Sequence, residues 1–315
     1  MTRLLGSRTV RLAIAVGLTA YLLWRNDPAA IARAAAGANA RWLLAACALV
    51  VFDRAFMAWR WLALLRPVMS TPPPVVAVLR VFFISSFVGS FLPASVGSDA
   101  VRAYSLRDHA VPGSAAVASV VMDRALGVVA ILLVGLVSVV ALSAPAPLGV
   151  YVVLLAGGAA SLALAAVIFI DPVGDMVGRL MAWLPGAAVR TIGAKLLAAV
   201  RTYRHHHTAL AGVLAASLAV QALRVLQAWG LGRAIGIEAG LAVYFVAIPV
   251  VLLIMLLPIT INGLGTGQAA FLWTFGAAGV GKPEALALSI LFIALGILGN
   301  LPGGVLYAMG GRRPA

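Results

Sequence analysis

Phe91-Leu92-Pro93-Ala94-Ser95-Val96-Gly97-Ser98-Asp99 interrupts a long apolar stretch, and its reading decides whether residues 74–114 cross a membrane or turn back inside it. Proline removes a helical N–H and clashes with the preceding turn, and glycine lets the backbone leave the helix, so a helix arriving here is expected to break. Ser98 or Asp99 can cap a new helix, on which Asp99 and Arg102, three residues apart, share a face: they read either as a cap with a structural ion pair or with Arg102 free to recognise a lipid phosphate. A second stretch, Leu257-Pro258-Ile259-Thr260-Ile261-Asn262-Gly263-Leu264-Gly265-Thr266-Gly267-Gln268, repeats the order: Leu-Pro, a hydroxyl residue two positions on, then glycine. A chance match is the alternative in a chain with 32 Gly and 16 Pro. Non-helical backbone at membrane depth is tolerated only against protein or a water-filled cavity, and paired broken helices point to a midplane binding site.

Around these breaks the chain is far too apolar for a soluble fold. Of its 315 residues 63% are hydrophobic and 10% charged, with a mean hydropathy of +1.08. Soluble domains carry about 45–50% apolar and about 25% charged residues. Twenty-three basic residues against nine acidic ones give a formal charge of +14. No zinc-ligand spacing or other nucleic-acid module accompanies the excess, so it reads as membrane orientation and no nucleic-acid partner is expected. One cysteine, Cys47, rules out an internal disulfide framework and lies in an apolar run as a small hydrophobe. Arg3, Arg8 and Arg11 before the run Leu12 to Trp24 resemble a secretory signal; with so many hydrophobic runs following, a retained anchor is expected.

Runs near the ~20 residues that span a bilayer fall at 10–24, 42–65, 74–92, 115–143, 147–170, 208–232, 240–257 and 284–309. Ala269 to Val280 is too short to span. Between 171 and 207 charged residues punctuate leucines in the manner of an amphipathic helical connection on the membrane surface. By the positive-inside rule this basic connection, the amino terminus and the Arg312-Arg313 tail are cytoplasmic. Counting spans from both ends agrees only if 74–114 enters from the cytoplasm and returns, and 240–280 dips in from outside and returns. The layout puts 13 of the 23 basic residues inside, including Arg102 and Arg107, five outside and five at membrane depth. The expected fold is therefore all-α: a single polytopic membrane domain over 1–315 with about six full transmembrane helices and two re-entrant helical hairpins in inverted orientation.

Arg54, Arg60, Arg80, Arg124 and Arg224, with Asp53 and Asp123, sit inside hydrophobic runs. Each costs about 2.5–3.5 kcal/mol at a helix centre on insertion scales, so they must meet one another, a cavity or headgroups. Asp123 and Arg124 are adjacent and cannot pair on one helix, so each needs its own partner, with Arg80 the candidate for Asp123. Arg60, among Trp59, Trp61 and Arg66, reads equally as snorkelling to headgroups or as a ligand-binding group. Gln221, Arg224 and Gln227 form a polar stripe that fits a cavity wall or a helix–helix hydrogen-bond seam. Gly263 to Gly267 does not match a dinucleotide-binding fingerprint, and His205 to His207 reads as exposed basic chain before it reads as a metal site. No metal or cofactor is expected.

Arg60-Trp61 with Leu64-Leu65, Pro93 to Gly97 continuing through Asp99 to Arg102, Asp123-Arg124 followed by Gly127, and Leu257-Pro258 through Gly267 together resemble the lysylphosphatidylglycerol synthase transmembrane, or flippase-like, family. The resemblance spans nearly the whole chain. It implies a helical domain of the cytoplasmic membrane that moves an aminoacylated phospholipid between leaflets, other members being linked to hopanoid or glycolipid pathways. Ser98 stands where the family often has a second glycine. Gln268 stands where it often has glutamate, which removes a counter-charge for a cationic headgroup. With no aminoacyl-transferase domain in its 315 residues, the chain is expected not to synthesise the lipid.

The expected function is translocation of a phospholipid or related polar lipid, downhill or driven by the membrane potential. The alternative is a non-transporting subunit holding enzymes of hopanoid or glycolipid synthesis. Arg80, Arg102 and Arg124 are the candidates for a headgroup phosphate, held by Asp99 and Asp123. Pro93, Ser95, Gly97, Pro258, Thr260, Asn262, Gly263, Gly265 and Gln268 are the candidates for the hairpin tips that replace headgroup hydration.

Overall fold

The computed structural model describes residues 37–69, 74–90, 96–106, 111–141, 148–183, 185–256 and 265–309, and all regular structure among them is helical. Five helices are long and apolar enough to cross a membrane: α1 (Ala40–Leu65, extended by a 3-10 turn to Val68), α4 (Gly113–Ala141), α5 (Leu148–Phe169), α8 (His207–Ala234) and α11 (Lys282–Met309). They coincide with five of the six expected full spans; the sixth, 10–24, lies outside the described residues.

The two stretches assigned to re-entrant hairpins fold as hairpins. In the first, α2 (Val75–Gly89) is followed by α3 (Val96–Ser105). At 15 residues α2 extends about 22 Å, short of the ~30 Å hydrocarbon core. The arms run antiparallel. Ser98 closes so tightly on Gly89 that a Cβ there would overlap it, the Arg102 guanidinium lies over the Phe82 ring, and Leu106 joins Val78 in one buried cluster. In the second, α9 (Leu241–Leu256) and α10 (Thr266–Ala277) are antiparallel in the same way, with Met255 against Gly267 and the Tyr244 ring edge-on to Phe275. Gly265 opens α10 at φ 85°, a conformation open to glycine and costly to side-chain-bearing residues.

α1 and α8 lie side by side and antiparallel, Trp42 packing on Trp229 at one end and Arg60 reaching Ser217 towards the other. Each hairpin leans on the helix that follows the other one: α2 packs on α11, and α9 on α4. The first contact is close because α11 has glycine there; a Cβ on Gly303 would overlap the carbonyl oxygen of Phe83. α5 stands at the periphery, with Leu155 and Leu162 among its exposed side chains, as expected for a lipid-facing helix.

The connection 171–207 forms α6 (Asp171–Ala182) and α7 (Ala187–Arg201), which pack on each other and on the ends of α4 and α5. Tyr203 donates to the carbonyl of Leu64 at 2.6 Å, and Arg201 and Arg204 both reach Asp171. The amphipathic connection is thus anchored at one end of the bundle, where α1 ends and α4 begins.

Candidate functional site

A cavity of about 260 Å³ lies where both hairpins meet the long helices. α1 contributes Asp53 and Arg54 to it, α3 Ser98 and Arg102, α4 Arg124, α8 Arg224 and Gln227, and α11 Asn300. Helical periodicity turns one stripe of α1 inward, Asp53 at the cavity and Arg60 and Leu64 buried further along, while Trp59 faces out at 49% exposure.

The charges form three groups. Asp123 accepts from Arg60 Nε at 2.7 Å and from Arg102 Nη1 at 3.4 Å. Arg60 also donates to Ser217, and the Arg102 guanidinium is held 4.9 Å from the ring centres of both Trp61 and Phe82. Asp99 takes a two-pronged pair from Arg124, Nε at 2.7 Å and Nη2 at 3.0 Å. Asp53 is shared between Arg224 Nε at 3.2 Å and Arg54 Nη1 at 3.7 Å. Five arginines therefore meet three aspartates, leaving two formal positive charges in excess among the described residues.

One of these charges belongs to the Asp123 group and the other to the Asp53 group, where hydrogen bonding is weaker. Arg54 and Arg224 both donate to the thioether of Met57, a poor acceptor, and Arg54 also to the carbonyl of Gly296. Arg54 Nε, Arg102 Nε, Gln227 Nε2 and Asn300 Oδ1 are buried without a hydrogen-bond partner among the described residues. Buried donors left so cost free energy unless a ligand or water takes them up. Three of these four atoms are donors, Asn300 Oδ1 being an acceptor, so the cavity offers unpaired N–H groups beside its positive charge.

Several expectations are corrected. Arg80 does not reach Asp123: α2 turns Val78, Val81, Phe82 and Ser85 inward, and Arg80 falls on its exposed face. Asp99 and Arg102 do not pair. Arg102 turns into the bundle towards Asp123, at 3% exposure, and Asp99 turns to Arg124. Arg102 consequently is not in a cytoplasmic loop. Arg60 does not snorkel; it is 4% exposed and paired. The separate partners required for Asp123 and Arg124 are present, and the stripe of α8 is a cavity wall through Arg224 and Gln227, with Gln221 buried beside them.

Gly97 lies in the first turn of α3 beside Ser98, and Gly265 opens α10. Gln268 is half-buried on α10 and is not among the residues lining the cavity. Pro93, Ser95, Pro258, Thr260, Asn262 and Gly263 lie outside the described residues. Sequence reasoning noticed Asp53 and Arg54 as costly charges without placing them in the site, and it missed Asn300, which donates to Ser90 Oγ at 2.8 Å across the α2–α11 contact. The signal for Asn300 was its place in an apolar run, Ile293 to Leu301.

A helical bundle with two opposed hairpins around a buried basic cavity defines a polytopic membrane protein. The chain belongs to the family of the lysylphosphatidylglycerol synthase TM region, whose model matches residues 8–303 and ties it to a membrane-lipid-related function. No curated protein matches it.

Proposed function

We propose that the protein moves a lipid with an anionic phosphate headgroup between the leaflets of the cytoplasmic membrane. The observation that carries this is the pair Arg54 and Arg224 sharing one carboxylate, Asp53, inside the cavity and donating to a thioether. A phosphate offers both guanidinium groups charge-assisted acceptors that Met57 cannot. The headgroup sits between the hairpins, and Arg102 and Arg124 face it from α3 and α4. The connection 171–207, basic as a whole through Arg179, Arg190, Lys195, Arg201 and Arg204, lies on the cytoplasmic side, as the positive-inside rule favours. Translocation is downhill or driven by the membrane potential, and the chain is not itself the enzyme that makes the lipid.

Reconstitution into vesicles of phosphatidylethanolamine and phosphatidylglycerol with a trace of fluorescent phosphatidylglycerol tests it, leaflet exchange being read by chemical quenching of the outer leaflet. Arg54→Gln and Arg224→Gln should each slow exchange at least tenfold with the thermal unfolding profile retained. Arg102→Ala should abolish exchange too, but it also strips Asp123 of a partner and is the poorer test. Exchange no faster than in protein-free vesicles, with a lipid-synthesising enzyme co-purifying, would replace this reading by that of a non-transporting subunit.

A further inference from the structure

At about 260 Å³ the cavity is smaller than the roughly 300–1,000 Å³ of drug-sized sites, so it holds a headgroup and leaves no room for two acyl chains. Two apolar grooves on the outside of the bundle open onto it. One, about 540 Å³, runs between α3, α4 and α5, lined by Ala103, Val117, Val128, Ala160 and Leu164, and meets the cavity midway along its length at Arg124, which lines both. The other, about 350 Å³, runs between α1 and α11, lined by Cys47, Val51, Leu295, Leu298 and Pro302, and ends at Arg54, which again lines the cavity.

The grooves lie at different depths. α1 and α4 are antiparallel, Arg60 level with Asp123 and Trp61 with Ser119. The first groove covers 117–128 of α4, centred on that level and extending towards the end where α6 and α7 are anchored. The second covers 47–54 of α1, nine or ten residues away towards the opposite end. At the rise of an α-helix this separates them by about 15 Å, half the thickness of the hydrocarbon core.

We infer that the cavity has two lateral doors, one per leaflet, each an acyl-chain groove with an arginine at its threshold: the α3–α4–α5 groove and Arg124 for the leaflet on the α6–α7 side, the α1–α11 groove and Arg54 for the other. This rests on the proposed lipid substrate and names where its chains lie, a diacyl phospholipid being the occupant of both grooves. The apolar linings, the shared arginines and the charge excess behind them fit a molecule with an anionic head and hydrocarbon tails. Arg124, paired with Asp99 across the first threshold, must part from it, or turn with it, to let the phosphate pass.

Photocrosslinking tests this without relying on transport. p-Benzoylphenylalanine is placed at Ala160 or at Val51, both exposed, and the purified full chain in detergent is titrated with phosphatidylglycerol. Arg124→Gln should lower the lipid crosslink yield at 160 at least fivefold and leave 51 within twofold; Arg54→Gln should do the reverse. The double variant Asp99→Asn with Arg124→Gln, which leaves no lone charge, repeats the first arm should the single variant unfold. Yields insensitive to either arginine, or lowered equally at both positions, would overturn the two doors. The expected crosslink pattern without leaflet exchange in vesicles would uphold the grooves and reject translocation, and exchange lost in the arginine variants without the pattern would do the opposite.

Discussion

Asp123 joins α1 and α3 to its own helix, α4. It is 3% exposed and pairs with Arg60 and Arg102 at once. Removing one member of a buried ion cluster leaves the others uncompensated, which costs about 3–5 kcal/mol, far more than the cluster contributes in net stability. Asp123→Ala should therefore lower the thermal unfolding midpoint in detergent sharply, whereas Arg80→Ala, at an exposed position of α2, should leave it unchanged. Equal midpoints for the two would refute the central role given to the Asp123 cluster. The sequence displayed the charges but not their pairing. Adjacency showed that Asp123 and Arg124 need separate partners, yet which arginine reaches which aspartate depends on how α1, α3 and α4 face one another, and helical spacing within a single segment does not fix that. The Asp99–Arg102 pair, one of two readings of that spacing, does not form for this reason, since a local i, i+3 pair competes with tertiary partners of opposite charge.

The elements were more legible than the pairs. Length and apolar content placed five spans, and the Leu-Pro and Gly signals at 92–97 and 257–265 placed both helix breaks, because proline and glycine act on the backbone whatever the tertiary context. Less visible was what holds the hairpins. Gly303 and Gly304 read as two more glycines in a rich sequence, but they bring α11 onto Phe83 and Phe87 of α2. Small residues allow such close backbone approach between membrane helices. Gly303→Leu should push α2 from α11, break the Asn300–Ser90 hydrogen bond and lower stability by roughly 1–3 kcal/mol, the range for overpacking. Gly296→Leu, where a Cβ meets nothing within 4 Å, provides the comparison for thermal stability. The same loss from both would show that the α2–α11 contact has no special tightness.

Across the whole molecule α1–α4 and α8–α11 are laid out as an inverted pair. α1 corresponds to α8, each hairpin to the other, and α4 to α11; the contacts α2–α11 and α9–α4 exchange under this correspondence, and α1–α8 maps onto itself. Because α1 and α8 are antiparallel, the two hairpins enter from opposite ends of the bundle, and the cavity is lined by Ser90 and Ser98 of one and by Met255 and Leu256 of the other. Single cysteines at Pro74 and Pro112, introduced with Cys47→Ser, should react with a membrane-impermeant maleimide from one face of sealed vesicles. Cysteines at Gly240 and Gly281 should react only from the other. Each pair brackets a hairpin, so a straight crossing over 74–112 would put its two cysteines on opposite faces and leave the arginines of the cavity without a common chamber.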